Sequence, residues 1–109
     1  MKFLIAALIF VMSSNSAIAA DENLEICNAG GYYAGAQNRL MMGLAMHILA
    51  KQGLLGTVTC SELWKSAYDV GVSFSKTGKV VNNKEEEIIK QASNFNEKVY
   101  SSIAKSIGY

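Results

Sequence analysis

No proline occurs in the 109 residues, and the chain holds one histidine and only two cysteines. Each scarcity closes off something. Without proline, nothing of that kind interrupts a long helix. A zinc site needs three or four Cys, His or carboxylate ligands. His47 alone, with Cys27 and Cys60 paired to each other, falls short of that, so neither a metal nor any other cofactor is expected. C-x-x-C is missing, which argues against thiol exchange. No serine sits in a recognisable nucleophile turn, and no Ser–His–Asp or Cys–His set can be drawn from the sequence. The segment Gly71–Thr77 approaches a phosphate-binding loop, but Ser75 stands where that motif requires glycine before its lysine. The expectation is a protein that is not an enzyme.

Charge of one sign is also lacking. Without Lys2, nine Lys and Arg balance nine Asp and Glu, so the basic excess that a nucleic-acid partner calls for is absent. Beyond the first residues, no apolar run approaches the roughly 20 residues needed to span a bilayer. Leu40–Ala50, bounded by Arg39 and Lys51, reads as a core helix, and no stable membrane insertion is expected.

What is present begins with an export signal over residues 1–19. Lys2 supplies the positive start, Phe3–Met12 the apolar stretch, and Ala17-Ile18-Ala19 the small-residue cleavage site. Residues 20–109 then form a single domain, exported to the periplasm or secreted. No cysteine stands at the cleavage point, so no lipid anchor is indicated. At 90 residues a single core is marginally stabilising. In an oxidising compartment, Cys27 and Cys60 are expected to form one disulfide, worth roughly 3–4 kcal/mol by loop closure.

The periodicity predicts an all-α fold, a three- or four-helix bundle closed by that bridge. A first helical stretch runs from Asp21 to Gln52. Tyr33, Ala36, Leu40, Leu44 and Ile48 lie on one side, Gly30-Gly31 mark either a break or a costly passage through glycine, and Gly53 follows as a cap. Thr59-Cys60-Ser61-Glu62 matches a capping box opening a second helix that ends before Gly78. A third is expected over Lys84–Ile107, capped by Asn83 and stopped by Gly108. Glu85–Glu87 complement its dipole, and Ile88, Ala92, Phe95, Val99, Ile103 and Ile107 form its stripe. The bridge then pins the base of an antiparallel helical hairpin.

For function, the aromatic surplus is the most informative feature. Tyrosine and tryptophan offer broad contact area with little entropy to lose, and Tyr32, Tyr33, Trp64 and Tyr68 are the candidate partner-binding residues. Met41, Met42 and Met46 are adaptable filler. Three short helices cannot bury all of them, which favours a protein partner or a homo-oligomer. His47, between Met46 and Ile48, reads as a core or edge histidine. Gly31 and Gly35, four apart, offer a smooth groove for close backbone approach, read first as internal packing.

Cys27, the run Gly31-Tyr32-Tyr33-Ala34-Gly35, a second cysteine opening the next helix and the rhythm of Glu87–Phe95 together resemble the small periplasmic immunity proteins that neutralise type VI amidases. The resemblance implies an inhibitor or immunity factor acting by stoichiometric contact. Members of that group tend to carry further cysteines toward the C-terminus. This chain lacks them, so neither their disulfide scheme nor their contacting loop carries over. In size and single disulfide the chain is also similar to acid-activated periplasmic chaperones, which supplies the alternative expectation.

Overall fold

The computed structural model describes residues 24–106, and the export signal expected over residues 1–19 lies outside them, as does Gly108. Four helices follow one another: α1 over residues 24–35, α2 over Arg39–Lys51, α3 over Val58–Thr77 and α4 over Asn83–Ser106. The fold is all-α, and the described residues contain no strand.

The first helical stretch is split in two, and not at the glycine pair. The backbone passes through Gly30 and Gly31 in helical form and turns instead at residues 36–38. Gln37 takes φ 63°, a left-handed conformation that costs a non-glycine residue roughly 1–2 kcal/mol. Two bonds hold it there. The Gln37 amide donates to Ala34 O at 3.2 Å and the Asn38 amide to Tyr33 O at 2.9 Å, which together are a Schellman closure. Asn38 then caps α2, its Oδ1 accepting from the Met41 amide at 3.2 Å. The expected cap at Gly53 is present, with φ 73° and the Leu54 amide donating to Leu49 O at 2.9 Å.

Two caps shift from their expected positions. α3 is capped by Thr57, not Thr59. Thr57 Oγ1 accepts from the Cys60 amide at 3.4 Å and donates to Leu54 O at 2.8 Å, so the loop itself fixes the start and draws Thr59 into the first turn. α4 is capped by Asn82, whose Oδ1 accepts from the Glu85 amide at 2.9 Å. Asn83 already lies inside the helix.

Packing places α1 at the centre. Cys27, Ala29, Gly30, Gly31, Tyr33 and Gly35 are all buried, which leaves hardly any face of this short helix open. Small residues make this possible, because three neighbours can approach only where the central helix is thin. Ala29 and Tyr33 pack with Met41 and Ala45 of α2 and with Ala92 and Phe95 of α4. Cys27 packs with Leu49 and Cys60. Ala67 and Val70 of α3 meet Ile88 of α4, with Tyr32 against them.

The Cys27–Cys60 disulfide is formed, with Cα atoms 5.4 Å apart, but the hairpin reading changes. A glycine Cβ built at residue 31 would strike the carbonyl of Trp64, and one at residue 35 the carbonyl of Tyr68. Contacts that advance along both helices together mean that α1 and α3 run parallel. α2 is the antiparallel return between them, since Gly30 of α1 lies beside Ala45 of α2, and Cys27, earlier on α1, packs with Leu49, later on α2. The bridge therefore ties the starts of two parallel helices. No helix among the described residues is long and apolar enough to cross a membrane.

Candidate functional site

Of the four aromatic residues singled out by the sequence, Tyr33 is the most deeply buried. Its hydroxyl donates to Ala92 O at 2.8 Å, tying α1 to α4 at the centre of the core. In this structure Tyr33 serves the core. A fourth helix supplies core that a three-helix count omits. Tyr32 is half-buried, with its ring edge-on to that of Tyr33 at 5.4 Å between centroids.

Burial keeps the proton on both phenols. Desolvation raises Tyr32 above the ordinary value of 10.0, and Tyr33 is raised by desolvation first and by the neighbouring Tyr32 charge second. The folded chain thus holds protons that the unfolded chain releases near pH 10. The associated stability is complete below that pH and is lost as pH rises through the elevated folded values. Tyr33→Phe is expected to cost about 1 kcal/mol at neutral pH for the lost hydrogen bond and to flatten the decline in melting temperature between pH 9 and 11. An alkaline decline as steep as the wild type's would contradict the assignment.

Trp64 and Tyr68 remain near the surface. Gly30 is what seats Trp64: a Cβ there would strike the indole ring, and would lie 3.0 Å from the Ala45 Cβ. The Cζ3–Cη2 edge of the ring thus lies against α1 at Gly30. Trp64, with Met46, Leu55, Gly56 and Ser61, lines a shallow hollow of about 290 Å³ over Cys60. Tyr68, one turn further along α3, is 45% exposed. Met46 and Leu55 are exposed as well, so the hollow has an apolar rim and one rigid aromatic wall.

A second apolar feature escaped the reading of the aromatic residues. Where α1 begins and α2 and α4 end, Ile26, Leu44, Ile48, Phe95 and Val99 border a groove of about 440 Å³, with Glu25 and Lys98 among its polar lining residues. Its signal in the sequence was the length of the α4 stripe. Ile88, Ala92 and Phe95 are buried, whereas Val99 is half-buried and Ile103 is 48% exposed, so the stripe outruns the core beneath it.

His47 is exposed on α2, which makes it an edge histidine. Half-buried Glu85 and exposed Glu86 stand in the first turn of α4, where they complement the helix dipole, and exposed Glu87 follows them. Among the described residues no group of three or more His, Cys, Asp or Glu side chains is placed to hold a metal ion. Comparison with family models, with curated proteins and with solved structures finds no match to this chain.

Proposed function

We propose that the mature chain is an exported periplasmic or secreted binding module, acting by stoichiometric contact with another protein as an inhibitor or immunity factor does, through a face built on Trp64 and Tyr68. The observation that carries this reading is the seat of Trp64. An aromatic ring whose one edge lies against Gly30 of α1 and which also borders an open hollow loses little freedom on contact, which is the property of residues that dominate binding energies. Met46 beside it supplies an adaptable apolar wall. The disulfide directly beneath the hollow holds that wall in place in an oxidising compartment.

Affinity capture of the oxidised mature protein from envelope extract tests this. One protein retained at equal stoichiometry is expected. Tyr68→Ala, at an exposed position that the core does not need, should weaken the complex by roughly 2 kcal/mol, about thirty-fold. Trp64 is the only tryptophan, so its emission should shift when the complex forms. Capture that is indifferent to Tyr68→Ala and leaves the emission unchanged would sink the reading. Reversible binding of a hydrophobic dye near pH 2–3 would instead favour an acid-activated chaperone.

A further inference from the structure

The groove at the shared end of α1, α2 and α4 is a separate surface from the Trp64 hollow. Met46 borders the hollow, and Leu44 and Ile48 border the groove. Residues two apart on a helix point some 200° apart, so the two features lie on opposite flanks of α2. What enters the groove need not be what meets Trp64.

We propose that the groove is the self-association surface of this chain, filled by the distal half of α4 from a second copy in a two-fold symmetric dimer. Three observations favour a second copy over any other occupant. The first is that supply and demand lie on the same element. Phe95 and Val99 of α4 line the groove, and the solvent-facing end of that same helix carries Tyr100 at 68% exposure. Such a patch can cover its own counterpart under a two-fold rotation. The second is charge: the groove lining holds one acid, Glu25, and one base, Lys98. Such a surface can set each group against its opposite in a second copy under a two-fold rotation, whereas a rim of one sign repels its own copy. The third is that the mature chain, with nine cationic and nine anionic side chains, carries no net charge to keep copies apart.

From Gln91 to Ile103 the groove follows α4 for about 18 Å, short for a permanent interface. The dimer therefore belongs to the weak, concentration-dependent class.

Sedimentation equilibrium of the oxidised mature protein across the micromolar range is the test. A monomer–dimer equilibrium is expected, shifted at least ten-fold toward monomer by Val99→Glu. Glu25→Lys and Lys98→Glu chains should each be monomeric alone, because each places like charges across the two-fold contact. Mixed in equal amounts, they should recover dimer, since each then presents the other with opposite charge at both ends of the interface. That recovery requires folded chains, so it also excludes misfolding as the cause of the monomeric state. A wild-type protein that stays monomeric throughout, a dimer that survives Val99→Glu, or single variants whose mixture stays monomeric would each overturn the proposal. The Trp64 face enters none of these measurements. Failure here leaves the proposed partner contact standing, and a dimer that forms normally in Tyr68→Ala keeps the two surfaces distinct.

Discussion

Gly35→Ala and Gly71→Ala are each expected to cost about 2–4 kcal/mol, for the addition of a single methyl group. In most helices that change is favourable by up to about 1 kcal/mol, because alanine is the better helix former. Here the sign reverses. A Cβ at residue 35 would strike the Tyr68 carbonyl and lie 2.9 Å from the Val72 amide nitrogen. One at residue 71 would strike the Tyr32 carbonyl and lie 3.0 Å from the Ala36 nitrogen. The obstacles are backbone atoms within helices, which cannot rotate away as a side-chain tip does. The two helices must therefore separate, and the contacts of Ala67 and Tyr32 along the same crossing loosen with them. For a domain of this size the loss corresponds to a fall in melting temperature on the order of 10–20 °C.

Gly43→Ala supplies the internal comparison. It lies within α2, with nothing inside 4 Å of the added atom, and should stabilise the protein by roughly 0.5–1 kcal/mol. The double variant Gly35→Ala/Gly71→Ala should cost clearly less than the two single losses combined. Once one methyl has parted the helices, the second enters space already open. Thermal melts of the four variants and the wild type check all of this. A Gly35→Ala variant that melts with the wild type would mean that α1 and α3 do not meet backbone to backbone.

The same glycines show where sequence reasoning reached and where it stopped. Helical periodicity read α3 and α4 to within a residue or two, because an amphipathic stripe is a property of one segment. The cysteine pair was equally legible, since two thiols in a chain expected to be exported have one simple fate. Gly30 and Gly31 were ambiguous because glycine weakens a helix and also makes room for a neighbour. Which effect wins depends on α3, which is distant in sequence. The actual break at Gln37 carries no propensity signal at all. It is a glutamine held in a left-handed turn by the bonds of Ala34 and Tyr33, and by the requirement that α2 fold back. Tyr32 and Tyr33 illustrate the same limit at the candidate site. Adjacent tyrosines look alike in sequence, yet the hydroxyl of one reaches Ala92 in the core. Only Tyr68, which faces outward on a helix whose other side is occupied by Ala67 and Val70, could have been separated by its register.

Removing the disulfide is expected to have an effect as large as that of the glycine substitutions. Cys27 and Cys60 are 33 positions apart, and a cross-link closing a loop of that length removes unfolded-state entropy worth roughly 3–4 kcal/mol. Both residues are almost fully buried, packed with Leu49, so Cys27→Ala/Cys60→Ala also leaves a small void and adds to the cost. The bridge has a second consequence through topology. Parallel helices need a return segment between them, and here α2 and the loop before Thr57 supply it. Without the bridge, the starts of α1 and α3 are held together only by packing around Leu49, and the hollow beside Trp64 loses its floor. Urea denaturation should show the double variant unfolding at a markedly lower midpoint and with a somewhat steeper slope, because the unfolded chain without its cross-link is more expanded and exposes more surface. Burial also governs how the bond breaks. An attacking thiolate has little access to a bridge whose two residues are 0% and 2% exposed, so the native protein should be reduced slowly by reductant alone and rapidly once denaturant opens it. Wild type reduced under denaturant should then match Cys27→Ala/Cys60→Ala to within about 1 kcal/mol. A double variant as stable as the oxidised protein would show that packing alone carries this small domain, and that the bridge is not what makes its surface rigid.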